Sequence, residues 1–207
     1  MTSSRLAMFP LGTVLVPYGV LPLHVFEPRY RVLMFDCLRA EREFGVVLIE
    51  RGVEVGGDDQ RFAVATVAHI AEATELPDGR WVVLAVGTRR VDITSWLPDD
   101  PYPTALTEGR AEVPWSTAAS EELTRAETAV RRILSLAGDL GEDVASPLVE
   151  LSDDPTARSW QLLAVAPLGS LDKQGLLARD DPAERLGQLA ERAEEQAALL
   201  AYRLDRE

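Results

Sequence analysis

The run from Phe9 to Met34, FPLGTVLVPYGVLPLHVFEPRYRVLM, constrains the fold more than any other stretch of the chain. Its two apolar segments, Thr13 to Val16 and Val20 to Phe26, are too short for helices and too rich in β-branched residues for ordinary loops, which predicts strands. Pro10 and Gly12 break the chain before the first, and Pro17 and Gly19 break it between the two. Pro22 removes one ladder donor from the second segment and suits it to a sheet edge or a bulge. From Pro28 the period lengthens. Tyr30, Leu33, Met34, Cys37 and Leu38 fall on one helical stripe, and a proline is accepted in a first turn, where its missing donor has no partner. The expected order is strand, turn, strand, helix.

Beyond that helix, strand-type runs dominate: Phe44 to Glu50, Phe62 to Ala73, Trp81 to Val86, Val91 to Leu97 and Thr104 to Val113. PDG at Pro77 to Gly79 signals a hairpin, because proline pre-sets the turn and glycine supplies positive φ. RGVEVGGDDQ from Arg51 and PDDPYP from Pro98 read as loops. Antiparallel strands with one early helix and no alternating βα rhythm predict an α+β barrel or sandwich rather than a nucleotide-binding sheet. The composition shifts between Pro114 and Ser120, which places a boundary between residues 1–116 and a helical part, residues 117–207. There Ser120 is the expected cap of a helix whose stripe is Leu123, Val130, Ile133, Leu134 and Ala137. Asp154 with Pro155, Ser170, and Asp181 with Pro182 mark three further helix starts. The last helix buries Leu186, Leu189, Ala190, Ala193, Ala197, Leu200 and Leu204, with Leu200 and Leu204 also available to pair with another copy.

Read together, PLGTVLVPYGVLPLHVFEPRYR, EFGVVLIERGVEVGG from Glu43, ATVAHI from Ala65, PDGRW from Pro77 and the segment Gly87 to Ile93 resemble the amino-terminal, substrate-binding domain of the ATP-dependent Lon proteases. The segment LGSLDKQGLLARDDPAERL from Leu168 resembles the helical part of the same family. Most of the chain is covered, with 138–153 contributing least. Ala65 stands where the family usually has glycine, and Val91 where it favours an aromatic residue, which implies ordinary backbone at the first and a smaller core plug at the second. The resemblance implies a PUA-like, partly open antiparallel β-barrel with one inserted helix, followed by a carboxy-terminal helical bundle. It also implies a stand-alone, non-catalytic module, without ATPase or peptidase domains, that binds exposed apolar segments of unfolded or damaged proteins. A hydrophobic cleft between barrel and bundle, rimmed by acids, is the expected place. An adaptor that docks on a full-length ATP-dependent protease is the alternative, and a small hydrolase the weaker one.

Charge narrows the partners further. The formal net charge is −13, with both the strand-rich and the helical part acidic. Nucleic-acid binding draws on a basic surface that neutralises phosphates, so this balance argues against it; Arg80, Arg89 and Arg90 are the one candidate basic patch. No apolar stretch approaches the roughly 20 residues of a membrane span, and MTSSRLAMFP lacks the plan of a signal peptide, so a cytoplasmic location is expected. The single cysteine, Cys37, agrees with a reducing compartment and excludes a thiolate metal cluster.

No reaction chemistry stands out, and no cofactor is expected. A phosphate-binding loop needs a glycine run ending in Lys and Ser or Thr, whereas the only lysine, Lys173, follows no such run. Ser170 to Lys173 spells the S-x-x-K pattern of serine acyl-enzymes, but its companion elements are missing and a helix cap with a solvated lysine accounts for it. His24 lies in a predicted strand, where Glu27 three residues on faces the other way, so the two do not form a metal pair; His69 is the only other histidine. Cys37, on an apolar stripe, reads as a small core residue. The candidate peptide-contacting residues are Phe26, Arg29, Tyr30, Arg90 and Trp115. For FEPRYR, an exposed aromatic and cationic lip stands against a structural account in which Phe26 and Tyr30 anchor the helix and Glu27 and Arg29 satisfy one another.

Overall fold

The computed structural model describes residues 3–51 and 60–206, which divide into two compact units, Met1–Arg110 and Ala111–Glu207. Most of the expected loop from Arg51 lies outside the described residues. The first unit comprises β1 (Ser4–Leu11), β2 (Val20–Val25), α1 (Pro28–Arg39), β3 (Glu43–Arg51), β4 (Gln60–Arg61), β5 (Val64–Glu75), β6 (Trp81–Leu97) and β7 (Thr104–Gly109). β1, β7, β6, β5 and β3 are joined in that order by antiparallel pairs, and a parallel pair from Met8↔Gly45 to Leu11↔Leu48 links β3 back to β1. β2 hangs from β6, and β4 from β3. The result is a partly closed mixed sheet within an α+β fold, not a regular antiparallel barrel. The parallel step is possible because β2 and α1 intervene between β1 and β3 and supply the long connection that parallel strands need.

The first strand corrects the sequence reading. It runs over Ser4–Leu11, while Thr13 to Val16, the expected strand, is irregular. This segment is fixed by other means. The Thr66 hydroxyl donates to the Leu15 carbonyl at 2.6 Å, the Tyr18 amide donates to the Gly87 carbonyl at 2.7 Å, and the Gly87 amide returns a bond to the Gly19 carbonyl at 2.9 Å. A β-carbon on Gly87 would collide with the Val16 carbonyl oxygen, so glycine is what lets the two backbones touch. The runs expected as separate strands, Trp81 to Val86 and Val91 to Leu97, are one strand, β6, whose ladder with β5 shifts register between Val67 and Ala68, opposite Gly87 and Arg89. Such a shift absorbs an extra residue without ending the strand.

Alternate residues of these strands feed two apolar clusters. Phe9, Val46, Ala68 and Val83 pack with the α1 stripe of Tyr30, Leu33, Met34 and Cys37, whereas Met8, Val47, Val67 and Val91 belong to the second cluster. Coverage on both sides explains why β1, β3 and β5 look continuously apolar. The PDG hairpin closes as expected, with Gly79 at φ 77° and the Leu76 amide donating to the Arg80 carbonyl at 2.8 Å.

The second unit contains α2 (Thr117–Asp139), α3 (Pro155–Val165), α4 (Ser170–Leu177) and α5 (Pro182–Leu204). α2 starts one turn before the expected Ser120: the Ser116 hydroxyl accepts from the Ala119 amide at 3.1 Å, and Ser120 lies inside the helix. At α4 the cap is Gly169, so Ser170 is the first helical residue. Asp154 and Asp181 cap as their sequence predicts, each accepting from a backbone amide at 2.8 Å. α2 and α5 pack together with Ala126, Ala129 and Ala137 on one buried face and Ala190, Ala193 and Ala197 on the other. Small side chains permit that close approach. Arg125 clamps Glu194 across the pair with two hydrogen bonds of 3.1 Å. No helix among the described residues is long and apolar enough to cross a membrane.

Candidate functional site

β2 alternates strictly, with Leu21, Leu23 and Val25 buried and Val20, Pro22 and His24 exposed. Its backbone parity follows from the register. Gly19 and Gly87 continue the β2–β6 ladder and are hydrogen-bonded, so Leu21, Leu23 and Val25 bond to β6 while Val20, Pro22 and His24 turn their backbone groups to the other edge. That edge has no partner strand among the described residues. Pro22, which has no donor to leave unsatisfied, occupies the middle of it.

Alongside this edge lies a cavity of about 210 Å³, bordered by Phe9, Pro10 and Leu11 of β1 and by the Pro22 to Glu27 segment. Tyr30 helps line it; its ring stacks on Phe9 at 4.2 Å between centroids. Glu27 and Arg29 satisfy one another at 3.1 Å, and the Arg29 guanidinium lies 4.6 Å from the Tyr30 ring centroid. A second concavity, about 410 Å³, is lined by Pro28, Arg31, Val32, Phe35, Glu75 and Trp81. Among the exposed apolar side chains of this unit, Phe26 at 60 % borders the first, Phe35 at 53 % and Val32 at 41 % border the second, and Val20 at 62 % lies at the far end of β2 on its exposed face. Val82, opposite His24 in the ladder, adds to the same outer sheet face.

Of the FEPRYR residues, Phe26 is exposed, Tyr30 is core at 3 % exposure, and Arg29 is half-buried in its ion pair with Glu27. Arg90 is 1 % exposed and sits inside the unit. Trp115 belongs to the other unit, half-buried, its indole N–H donating to the Ser120 hydroxyl at 2.9 Å. Sequence reasoning missed Val20, Val32, Phe35 and Val82. The signal was present for the helix, since Val32 and Phe35 are apolar residues off the buried stripe.

The expected basic patch is dismantled by pairing and burial. Arg80 bonds Asp78 at 2.7 Å, and Arg89 grips Glu43 with bonds of 2.8 and 2.7 Å, which holds the Glu43 carboxyl below its usual range. That pair lines a polar concavity of about 510 Å³ together with Arg5, Asp36 and Tyr102, whose hydroxyl donates to Asp36 at 2.9 Å. Cys37 donates to the Glu43 carbonyl at 3.2 Å, and burial pushes its thiol up to about 12, which removes thiolate character at neutral pH. Lys173 donates to the Ala164 carbonyl at 2.8 Å, with burial pushing its ammonium down. Among the described residues, no three His, Cys, Asp or Glu side chains converge as metal ligands.

The chain thus pairs a partly closed mixed sheet that carries exposed apolar side chains with a helical unit that follows it in sequence. Residues 5–193 match the family described as the ATP-dependent protease La (LON) substrate-binding domain, and the chain belongs to that family. It is 30 % identical over 193 residues to Lon protease 2 of Herpetosiphon aurantiacus, covering 91 % of this chain and 23 % of that protein. Against Lon protease of Escherichia coli K12 the identity is 28 % over 205 residues, covering 95 % and 25 %. The chain thus spans about a quarter of the length of these relatives. Among solved structures, the Lon N-terminal domain protein from Xanthomonas campestris superposes with a TM-score of 0.63 at 27 % identity, covering 90 % of this chain and 96 % of that one. The N-terminal domain of the Mycobacterium avium complex Lon protease shares the fold, with a TM-score of 0.67 at 15 % identity over 94 % and 98 %.

Proposed function

We propose that this chain is a non-catalytic module that binds exposed apolar segments of unfolded or damaged proteins. The observation that carries this reading is that exposed Phe26 borders one concavity of the first unit and exposed Val32 and Phe35 border another, because folded surfaces seldom group large apolar side chains without a partner. Family membership supports it. Binding energy would come from burying a few such side chains, each contributing roughly 1 to 2 kcal/mol, so affinity for a single segment is weak. The test is a titration with reduced, unfolded α-lactalbumin and with its folded form. The expected result is binding of the unfolded form alone, reduced at least fivefold by Phe26→Ser with Phe35→Ser, both exposed positions that leave the core intact. Equal binding of the two forms, or an unaffected double variant, would sink the reading. An adaptor docking on a full-length ATP-dependent protease is the second reading, favoured by the same family membership; it predicts stoichiometric co-purification with that protease.

A further inference from the structure

The outward edge of β2 does more than expose side chains. Val20 and His24 present amide and carbonyl groups away from β6, Pro22 between them presents a carbonyl only, and no described strand takes up these groups. The cavity beside this edge is walled mainly by apolar side chains of β1, β2 and α1 together with His24, and its one carboxylate, Glu27, is already matched by Arg29. An occupant that satisfies both surfaces must offer backbone donors and acceptors on one side and uncharged apolar side chains on one face. We propose that an extended, uncharged apolar segment of a client polypeptide adds to β2 as an antiparallel strand, with alternate side chains seated in this cavity. This rests on the client-binding reading above and specifies how the client is held.

The arithmetic of the edge sets the length and the strength. Pairing opposite Val20, Pro22 and His24 yields about five backbone hydrogen bonds, one fewer than an uninterrupted edge because Pro22 cannot donate. The segment recognised is therefore about five to seven residues long, and recognition through the main chain tolerates many sequences. Pro22 also blunts the edge against continuous pairing with like strands. A second copy of this chain is disfavoured as the occupant, since each copy has a net charge of −13. An acidic segment is disfavoured because the Glu27 carboxylate borders the cavity and the neighbouring Arg29 is already paired with it.

The probe is a fluorescein-labelled peptide of about seven residues that alternates valine with threonine, titrated into the full chain. Two analogues are compared, one N-methylated at the amides that face β2 and one at the intervening amides. Methylation facing β2 is expected to weaken binding about tenfold or more relative to the other analogue, and replacing the valines by glutamate to abolish it. Amide hydrogen exchange at Val20 and His24 is expected to slow on peptide binding, with Leu21 and Leu23 unchanged. Equal affinities of the two methylated analogues would overturn strand addition, and retained binding of unfolded α-lactalbumin in the same preparation would leave the client-binding reading standing. Loss of binding to peptide and unfolded protein alike would overturn both. Protection of Val20 and His24 that grows with protein concentration alone would assign the edge to a second copy and overturn the proposal.

Discussion

Replacing Gly87 by alanine tests whether the irregular Leu15 to Gly19 segment is locked to β6 by backbone contact. The new methyl group meets the Val16 carbonyl oxygen, with the carbonyl carbon at 2.9 Å and Thr66 Cγ2 at 3.1 Å, so backbone must move. Three hydrogen bonds depend on that approach, those of 2.7 and 2.9 Å between Gly87 and Tyr18 or Gly19, and the 2.6 Å bond from Thr66 to Leu15. Each contributes about 1 kcal/mol, and forced overpacking costs about 1 to 3 kcal/mol more. Because one shift relieves strain while breaking bonds, these do not simply add, and the expected net loss is about 3 kcal/mol. With a urea m-value of about 2 kcal/mol per molar, the midpoint falls by about 1.5 M. Urea unfolding followed through the amide NMR signals of β5 and β6 isolates the first unit from the helical one. Gly109→Ala is the control: nothing lies within 4 Å of its added carbon, and its change is expected to stay within about 0.5 kcal/mol. A loss below about 1 kcal/mol for Gly87→Ala would show that the segment yields freely and that the lock is not there.

Two further outcomes follow from buried groups. Burial and then Asp36 raise the Cys37 thiol from 9.0 to about 12, and burial and then the Asp36 hydrogen bond raise the Tyr102 hydroxyl from 10.0 to about 12. Both groups ionise more readily unfolded, so the stability they contribute is full below about pH 9 and is lost as the pH climbs towards 12. Urea midpoints measured from pH 8 to 11 should fall, and fall less steeply in Cys37→Ala; parallel slopes would contradict the assignment to Cys37. In the second unit, Arg185 is 1 % exposed with its guanidinium 3.7 Å from the centroid of the Trp160 ring. Arg185→Ala should cost about 3 kcal/mol through lost packing and cation–π contact and red-shift the Trp160 emission, and a loss under about 1 kcal/mol would refute a structural role.

The helical stripes and proline-marked helix starts were readable because 3.6-residue periodicity and capping are local. The α1 stripe even included Tyr30, and its burial beside Leu33 and Met34 follows from that spacing. Period two in β2 likewise put Phe26 on the outer side with Pro22 and His24, although that consequence is plain only once the strand is known to have a free edge. β1 was missed because SRLAMFPL lacks β-branched residues; it becomes a strand by pairing with β7 and β3, partners about 40 to 100 residues away. Thr13 to Val16 had the right composition and no ladder to join; Thr66 takes the Leu15 carbonyl, and Gly87 holds the adjoining Tyr18 and Gly19, contacts made from elsewhere in the sequence. Arg90 shows the same limit. Its burial arises from pairing opposite Thr66 beside a register shift, which nothing in GTRRV announces.

The solitary lysine has a practical side. Reagents that acylate amines find one side-chain target in the whole sequence, Lys173, on α4 of the helical unit and with its nitrogen already engaged by Ala164. The side chains of the strand-rich unit, β2 edge included, are invisible to lysine-directed crosslinking and tagging. Clients held there must be trapped through carboxylates or by photochemistry, and a chain labelled at Lys173 keeps that edge chemically untouched.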